Sequence, residues 1–257
     1  MQTRQASLPR EIAKNTWWLS ACLHIREGAR ILHNHNSCFL IIGSKASVLI
    51  DTGMPFGWHH LKREIAQALG GKPLDYVFPT HPEGPHMGNI EPLLDVYPGM
   101  KIVGDLRNYH LYFPRDTARF VGAKAGDALD LGDRRLIFQP AIVHDLPNTL
   151  WAYDPDEQIL FVGDAYPYTH DHEGDQCGLG SEELPGEIKP EDTGVVISRA
   201  LNWARHVDAT PIVAKLRAWL AEHPVKLVAP AHGGVITNVA DITDVFEKGL
   251  ARARLLA

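Results

Sequence analysis

The chain has 257 residues, 45% of them apolar and 22% charged, so it can bury a sizeable core without disulfide staples. Asp and Glu number 31 against 25 Lys and Arg, a net charge of -6 that argues against a nucleic-acid binder and its basic patch. No apolar run is long enough to cross a bilayer and the N-terminus does not read as a signal peptide, while three scattered cysteines point to free thiols and a cytoplasmic protein.

In chain order, residues 15–25 are rich in aromatic and branched side chains and predict a strand. Residues 36–42 and 46–50 predict a hairpin around Gly43-Ser44-Lys45, closed by Asp51-Thr52-Gly53. Apolar residues at Leu61, Ile65, Ala68 and Leu69 have helical spacing, and Gly70-Gly71 ends that helix. A strand over 74–78, a short helix over 89–96 and a strand over 101–103 complete the first half. In the second half, strands are predicted over 136–138, 141–143, 150–153 and 158–162. A long loop over 166–192 follows, then helices near 194–207 and 210–223 and a strand over 226–229. The pattern predicts a single mixed α/β layered domain over 1–257, with a faint echo between ASVLIDTG and QILFVGDA.

The 14 histidines carry most of the functional signal. The strand LDYVF leads into His81, AIV into His144, QILFV through Gly163 into Asp164, and KLVA through Pro230-Ala231 into His232. Sites in open α/β layers form beyond the carboxyl ends of strands. One such histidine alone reads as a hydrogen-bonded loop residue, but four such endings together read as convergence on a metal site. The densest cluster is His81-Pro82-Glu83-Gly84-Pro85-His86. Residues two apart in an extended segment share a side, so His81 and Glu83 can face one ion. Gly84-Pro85 then turns the chain and can return His86 to the site.

These residues resemble the metallo-β-lactamase superfamily over roughly residues 36–237. His-x-Glu in the first metal loop is similar to the flavodiiron proteins and their oxygen-binding relatives, where hydrolases of the superfamily carry His-x-His. His144-Asp145-Leu146-Pro147, Phe161-Val162-Gly163-Asp164-Ala165-Tyr166 and Pro230-Ala231-His232-Gly233 resemble the later metal segments, in order. The resemblance implies an αβ/βα four-layer sandwich. It implies one metal held by His81, Glu83 and His144, with Asp164 bridging to a second that His86 and His232 also bind. Asp51 is implied to support the site from behind, with turn capping as the alternative. Tyr166 is a candidate donor to a small ligand at the metal, or a packing residue, as is Tyr168. Pro85 departs from the family, because it stands where an aspartate would bind the second metal and proline offers no side-chain donor.

The expected cofactor is iron, one or two per chain, since oxygen-rich N/O sites with open positions suit it; zinc and manganese are alternatives. Too little chain follows His232 for a flavodoxin domain, so a separate electron-donor protein or small molecule is expected. The expected ligand is a small molecule such as dioxygen or peroxide, with no nucleic-acid or membrane partner; homodimers are common in this fold. The leading reading is a non-heme iron protein that binds or reduces a small oxidant. A metal-dependent hydrolase of an ester, lactone or amide is a second reading, and an oxygen sensor a third. His33-Asn34-His35 and His170-Asp171-His172-Glu173 read as surface loops, with metal ligation as the alternative. Cys177 reads as a loop thiol, and Trp17, Trp18 and Trp151 as core or pocket wall.

Overall fold

The computed structural model describes residues 7–171 and 177–255. Strands β1 (Arg10–Ala13), β2 (Thr16–Glu27), β3 (Arg30–Ile42), β4 (Ser47–Ile50), β5 (Tyr76–Phe78), β6 (Lys101–Gly104) and β7 (Phe120–Gly122) form a seven-stranded sheet in that order. Pairings from β1 to β4 are antiparallel and those from β4 to β7 are parallel. Strands β8 (Ala128–Asp130), β9 (Arg135–Pro140), β10 (Leu150–Asp154), β11 (Ile159–Gly163) and β12 (Leu227–Pro230) form a five-stranded sheet in which only β11 and β12 run parallel.

Strand periodicity divides the apolar residues into three cores. Trp18, Phe39, Ile41, Val48 and Ile50 of the first sheet pack with Phe138, Ala152, Phe161 and Ala229 of the second. Their neighbours Leu19, Leu40, Leu49 and Val77 point the other way, against helices α1 (Trp58–Leu69) and α3 (Ile90–Val96). Outside the second sheet, Leu160, Val162 and Val228 meet helices α4 (Pro190–Ala200), α5 (Thr210–Glu222) and α6 (Val239–Leu255). Both sheets are therefore apolar on both faces, and the layers run helix, sheet, sheet, helix, the αβ/βα sandwich implied by the sequence. Helix α1 buries Leu61, Ile65 and Leu69, and Gly70 ends it in the left-handed region at φ 58° with its amide on the Ala66 carbonyl. A single turn, α2 (Gly84–Met87), carries His86. No helix among the described residues is long and apolar enough to cross a membrane.

The elements differ from expectation in three instructive places. Strand β3 starts at Arg30, so His33-Asn34-His35 lies in a paired strand and not in a surface loop. Residues 141–143 form no strand. The β9–β10 ladder closes at the pair Leu150–Pro140, where proline has no N–H to continue it. Helix α6 lies beyond the last expected element, although it buries Ile242, Phe246, Leu250 and Ala253, three and four residues apart.

Candidate metal centre

The polar residues converge where strands end. β4 ends at Ile50 and β5 at Phe78, and the Asp51 amide donates to the Phe78 carbonyl at 3.0 Å. β11 leads through Gly163 (φ 54°) into Asp164, and β12 leads into His232. Backbone bonds tie these ends together. Thr52 N donates to His86 O at 3.0 Å, Leu150 N to Thr80 O at 2.9 Å, Ala231 N to Gly163 O at 2.7 Å and Ser37 N to Ala231 O at 2.8 Å. Asp51 (φ 57°), Gly53 (φ 69°), Gly163 and Gly233 (φ 141°) all turn through positive φ here. Asp tolerates this region better than most residues, and glycine adopts it freely.

His81 Nε2 lies 3.9 Å from Glu83 Oε2, 3.7 Å from Asp145 Oδ1 and 3.7 Å from Asp164 Oδ2. These gaps are too long for hydrogen bonds. They are the spacings of ligands around one ion whose bonds are each roughly 2.0–2.2 Å. Across Asp164, Oδ1 lies 2.9 Å from His86 Nε2 and 3.2 Å from His232 Nε2. The aspartate thus turns one oxygen to each of two ligand groups. His86 is held from behind, its Nδ1 lying 3.0 Å from Asp51 Oδ2. Asp51 Oδ1 in turn accepts from the Thr80 amide at 2.8 Å and the Thr80 hydroxyl at 3.0 Å. With Nδ1–H donating to Asp51, Nε2 of His86 is free to serve as a ligand.

Burial and charge suit these residues to hold a cation. His81 and His86 are 1% and 0% exposed, Asp164 3%. His81 Nε2, Asp145 Oδ1 and Asp164 Oδ2 are buried with no hydrogen-bond partner. Groups of this kind are otherwise paired in native interiors. Burial pulls the His86 imidazole down, but the Asp51 and Asp164 carboxylates outweigh it and hold it well above its usual range. Burial pushes Asp164 up, while His86 and His232 bring it well below the usual carboxylate range. Glu83 is lowered, chiefly through its pairing with His81, and Asp145 is raised, chiefly by burial. The donor set, imidazoles with several carboxylates and no sulfur, fits iron or manganese better than a structural zinc.

Of the expected ligands, the structure brings together His81, Glu83, His86, Asp164 and His232. It does not bring His144 to them. That side chain is exposed, with its Nδ1 3.0 Å from Ala141 O, and its neighbour Asp145 faces the site instead. In an extended segment adjacent side chains point to opposite sides, so a displacement of one residue exchanges the donor. The pair His144-Asp145 was the available signal, but sequence alone does not tell which of the two turns inward. Tyr166 also needs correction. It lies in the left-handed region (φ 58°), its ring stacks on Phe246 of α6 at 4.8 Å, and its hydroxyl pairs with Thr243 Oγ1 at 2.8 Å. It is a packing residue, as are Tyr168 and Trp151, all fully buried in the core outside the second sheet. Asp51 supports His86, and Thr80, unremarked in the sequence, supports Asp51.

A model of the Metallo-beta-lactamase superfamily matches residues 33–186. An uncharacterized protein of Methanocaldococcus jannaschii is 30% identical over 128 residues, 49% of this chain and 33% of that protein. An anaerobic nitric oxide reductase flavorubredoxin of Aliivibrio fischeri is 26% identical over 207 residues, 76% of this chain and 39% of that protein. The chain thus spans between a third and two fifths of the length of these curated relatives. In three dimensions it is similar to rubredoxin oxygen:oxidoreductase of Desulfovibrio gigas, with a TM-score of 0.76 at 18% identity, covering 95% of this chain and 61% of that one. That likeness shows the fold.

Proposed function

This chain belongs to the metallo-beta-lactamase superfamily, and on that footing we propose that it is an iron-dependent oxidoreductase of the flavodiiron-core kind, acting on dioxygen, nitric oxide or a related small oxidant. The single observation that carries the proposal is Asp164, a fully buried carboxylate with one oxygen toward His81, Glu83 and Asp145 and the other toward His86 and His232. A carboxylate so placed between two ligand groups suits a pair of ions. The names of the relatives, a nitric oxide reductase and an oxygen oxidoreductase, support the reaction class.

His81, Glu83, Asp145 and Asp164 would hold one iron, and His86, His232 and Asp164 the other. When bound, the iron supplies the one-electron steps and the open positions for a diatomic ligand. The chain's own residues do the rest. Asp51 keeps the Nδ1 proton of His86 in place, so that Nε2 presents a lone pair. The carboxylates of Glu83, Asp145 and Asp164 favour the higher oxidation state by their charge. The buried walls around His81 and His86 keep bulk water from the buried ligands. Pro85 offers no side-chain donor, so the second ion would be held by His86, His232 and Asp164 alone. A reduced donor would supply the electrons.

The test is anaerobic reconstitution of the full chain with ferrous iron, followed by electrode measurement of dioxygen and nitric oxide consumption with a reduced donor. Consumption that depends on both iron and donor is expected. Failure of iron to bind, or cleavage of generic esters and lactones without reductant and with no oxidant consumption, overturns the reading in favour of a hydrolase.

A further inference from the structure

Two of the three cysteines and three more histidines gather away from the carboxylate centre. Strands β2 and β3 pair antiparallel with Cys22 opposite His35 and His24 opposite His33, which places all four on one face of the hairpin. The Cys22 sulfur lies 3.1 Å from His33 Nδ1. The segment following Asp164 then crosses this face. His170 forms a two-bond bridge with His33, N to O at 2.9 Å in each direction, and its ring stacks on that of His35 at 5.4 Å. Cys177 lies against the same face, its sulfur 3.6 Å from His33 Nδ1. Arg10 holds the residue after it by donating to Gly178 O at 2.9 Å while paired with Glu183.

Ligand atoms of Cys22, His33 and Cys177 all lie within 4.8 Å of one another, and so do those of His35, His170 and Cys177. Donors sharing a tetrahedral zinc, with Zn–S about 2.3 Å and Zn–N about 2.0–2.1 Å, stand roughly 3.3–3.8 Å apart, close to the separations seen here. Thiolate and imidazole donors together select zinc-class ions over the harder metals suited to carboxylates. Cys177 is held well below the usual thiol range, first by its bond with Cys22 and further by His170, His35 and His33, whereas Cys22 is pushed up by the same pairing.

We propose that Cys22, His33 and Cys177, with one imidazole of His35 or His170, form a second metal site that binds a single zinc-class divalent ion. Cys177 belongs to both trios and is the ligand no arrangement can do without. The ion would staple the β2–β3 hairpin to the segment after Asp164. That segment also donates from Tyr168 N to His232 O at 2.8 Å, so the staple would brace the carboxylate centre. The inference does not rest on the proposed iron chemistry, because the two sites share no residue.

Cobalt(II) titrated into the reduced, chelator-stripped full chain tests it. A thiolate-to-cobalt charge-transfer band is expected, saturating at one equivalent and displaced by zinc. The carboxylate centre contains no sulfur, and Cys38 is buried apart from the cluster. The band therefore reports only Cys22 and Cys177. It should vanish in Cys177→Ser and persist in His81→Ala and Cys38→Ser. On the wild-type chain, zinc should slow alkylation of Cys22 and Cys177, mapped by mass spectrometry, by about tenfold or more, since the free thiolate is the reactive form. Absence of the band in the wild-type chain, its survival in Cys177→Ser, or a Cys22–Cys177 disulfide whose formation zinc does not prevent overturns the proposal. The alkylation measurement keeps the test decisive if Cys177→Ser does not fold.

Discussion

At the residue scale, the geometry separates groups that would touch iron from groups that hold them. Asp51 stands behind His86 and is itself held by Thr80. Loss of such an outer partner typically costs 10–100-fold in metal affinity. Asp51→Asn should therefore weaken iron binding by about that factor, as measured by competition with a chromophoric chelator. His144 and Asp145 give a sharper test. Asp145→Asn should lower the affinity of the His81 group, whereas His144→Ala should leave stoichiometry and affinity unchanged. Metal analysis of the two variants decides which neighbour is the ligand, and loss of iron from His144→Ala would refute the Asp145 assignment. Pro85 is the second residue of its helical turn, half-buried beside His86. Pro85→Asp should raise the affinity of the His86–His232 group, seen as a steeper second phase in the iron titration.

At the element scale, close approaches between strand ends bring the ligands together. Gly163 passes so near Thr80 that an added Cβ would stand 3.0 Å from its hydroxyl, and its φ of 54° also disfavours a side chain. Gly163→Ala should cost about 1 kcal/mol or more in unfolding free energy, because both the backbone and the neighbour resist it. It should also loosen iron, because Thr80 is the residue that orients Asp51. Urea unfolding with parallel metal analysis checks both, and a variant of unchanged stability would show that Thr80 yields freely. The length of β3 matters for the same reason. By reaching back to Arg30, it carries His33 and His35 to the thiol cluster, and Asn36 and Ser37 to the loop after β12.

On the scale of the whole molecule, the sheet-to-sheet core is the foundation of the carboxylate centre. Phe161 of β11 is 1% exposed and packs edge-on against Phe39 of the other sheet at 5.5 Å. Phe161→Ala should cost about 3–5 kcal/mol, the range for truncating a buried aromatic. Because Asp164 follows on the same strand, iron affinity should fall with it. A second tie between the sheets is Arg134, 6% exposed, which pairs with Asp154 at 3.2 Å and donates to Lys14 O at 2.7 Å. Its removal leaves a buried carboxylate unpaired, a loss of about 3–5 kcal/mol in comparable cases.

Much of this was legible in the sequence. Apolar, branched runs located most strands of both sheets, helical spacing located α1, and the endings at His81, Asp164 and His232 pointed to one metal centre, whereas 141–143 form no strand and His144 stays outside. These signals are local, because each depends on what a side chain's own neighbours allow. The edge strands β1, β7 and β8 were not legible, since short half-exposed segments carry little periodicity. Helix α6 carries helical spacing at Ile242, Phe246, Leu250 and Ala253 but lies past the last metal segment. The expectation of His144 as a donor missed its neighbour Asp145, because a one-residue displacement in an irregular segment changes which side chain faces inward. Tyr166 was drawn toward the metal by sequence proximity to Asp164, while a left-handed turn at its own backbone leaves it against α6. The thiol cluster was the least visible of all. Cys22, His33 and Cys177 share no motif and meet only through strand pairing and a long-range bridge. Sequence by itself determined the mixed α/β class and pointed to a centre at the strands' carboxyl ends, because apolar runs and the polar residues that end them are written residue by residue, and the resemblance of its metal motifs implied the four layers. Tertiary structure alone decided the direction of each side chain and the meeting of distant ones, because those depend on register and on contacts between segments far apart in the chain.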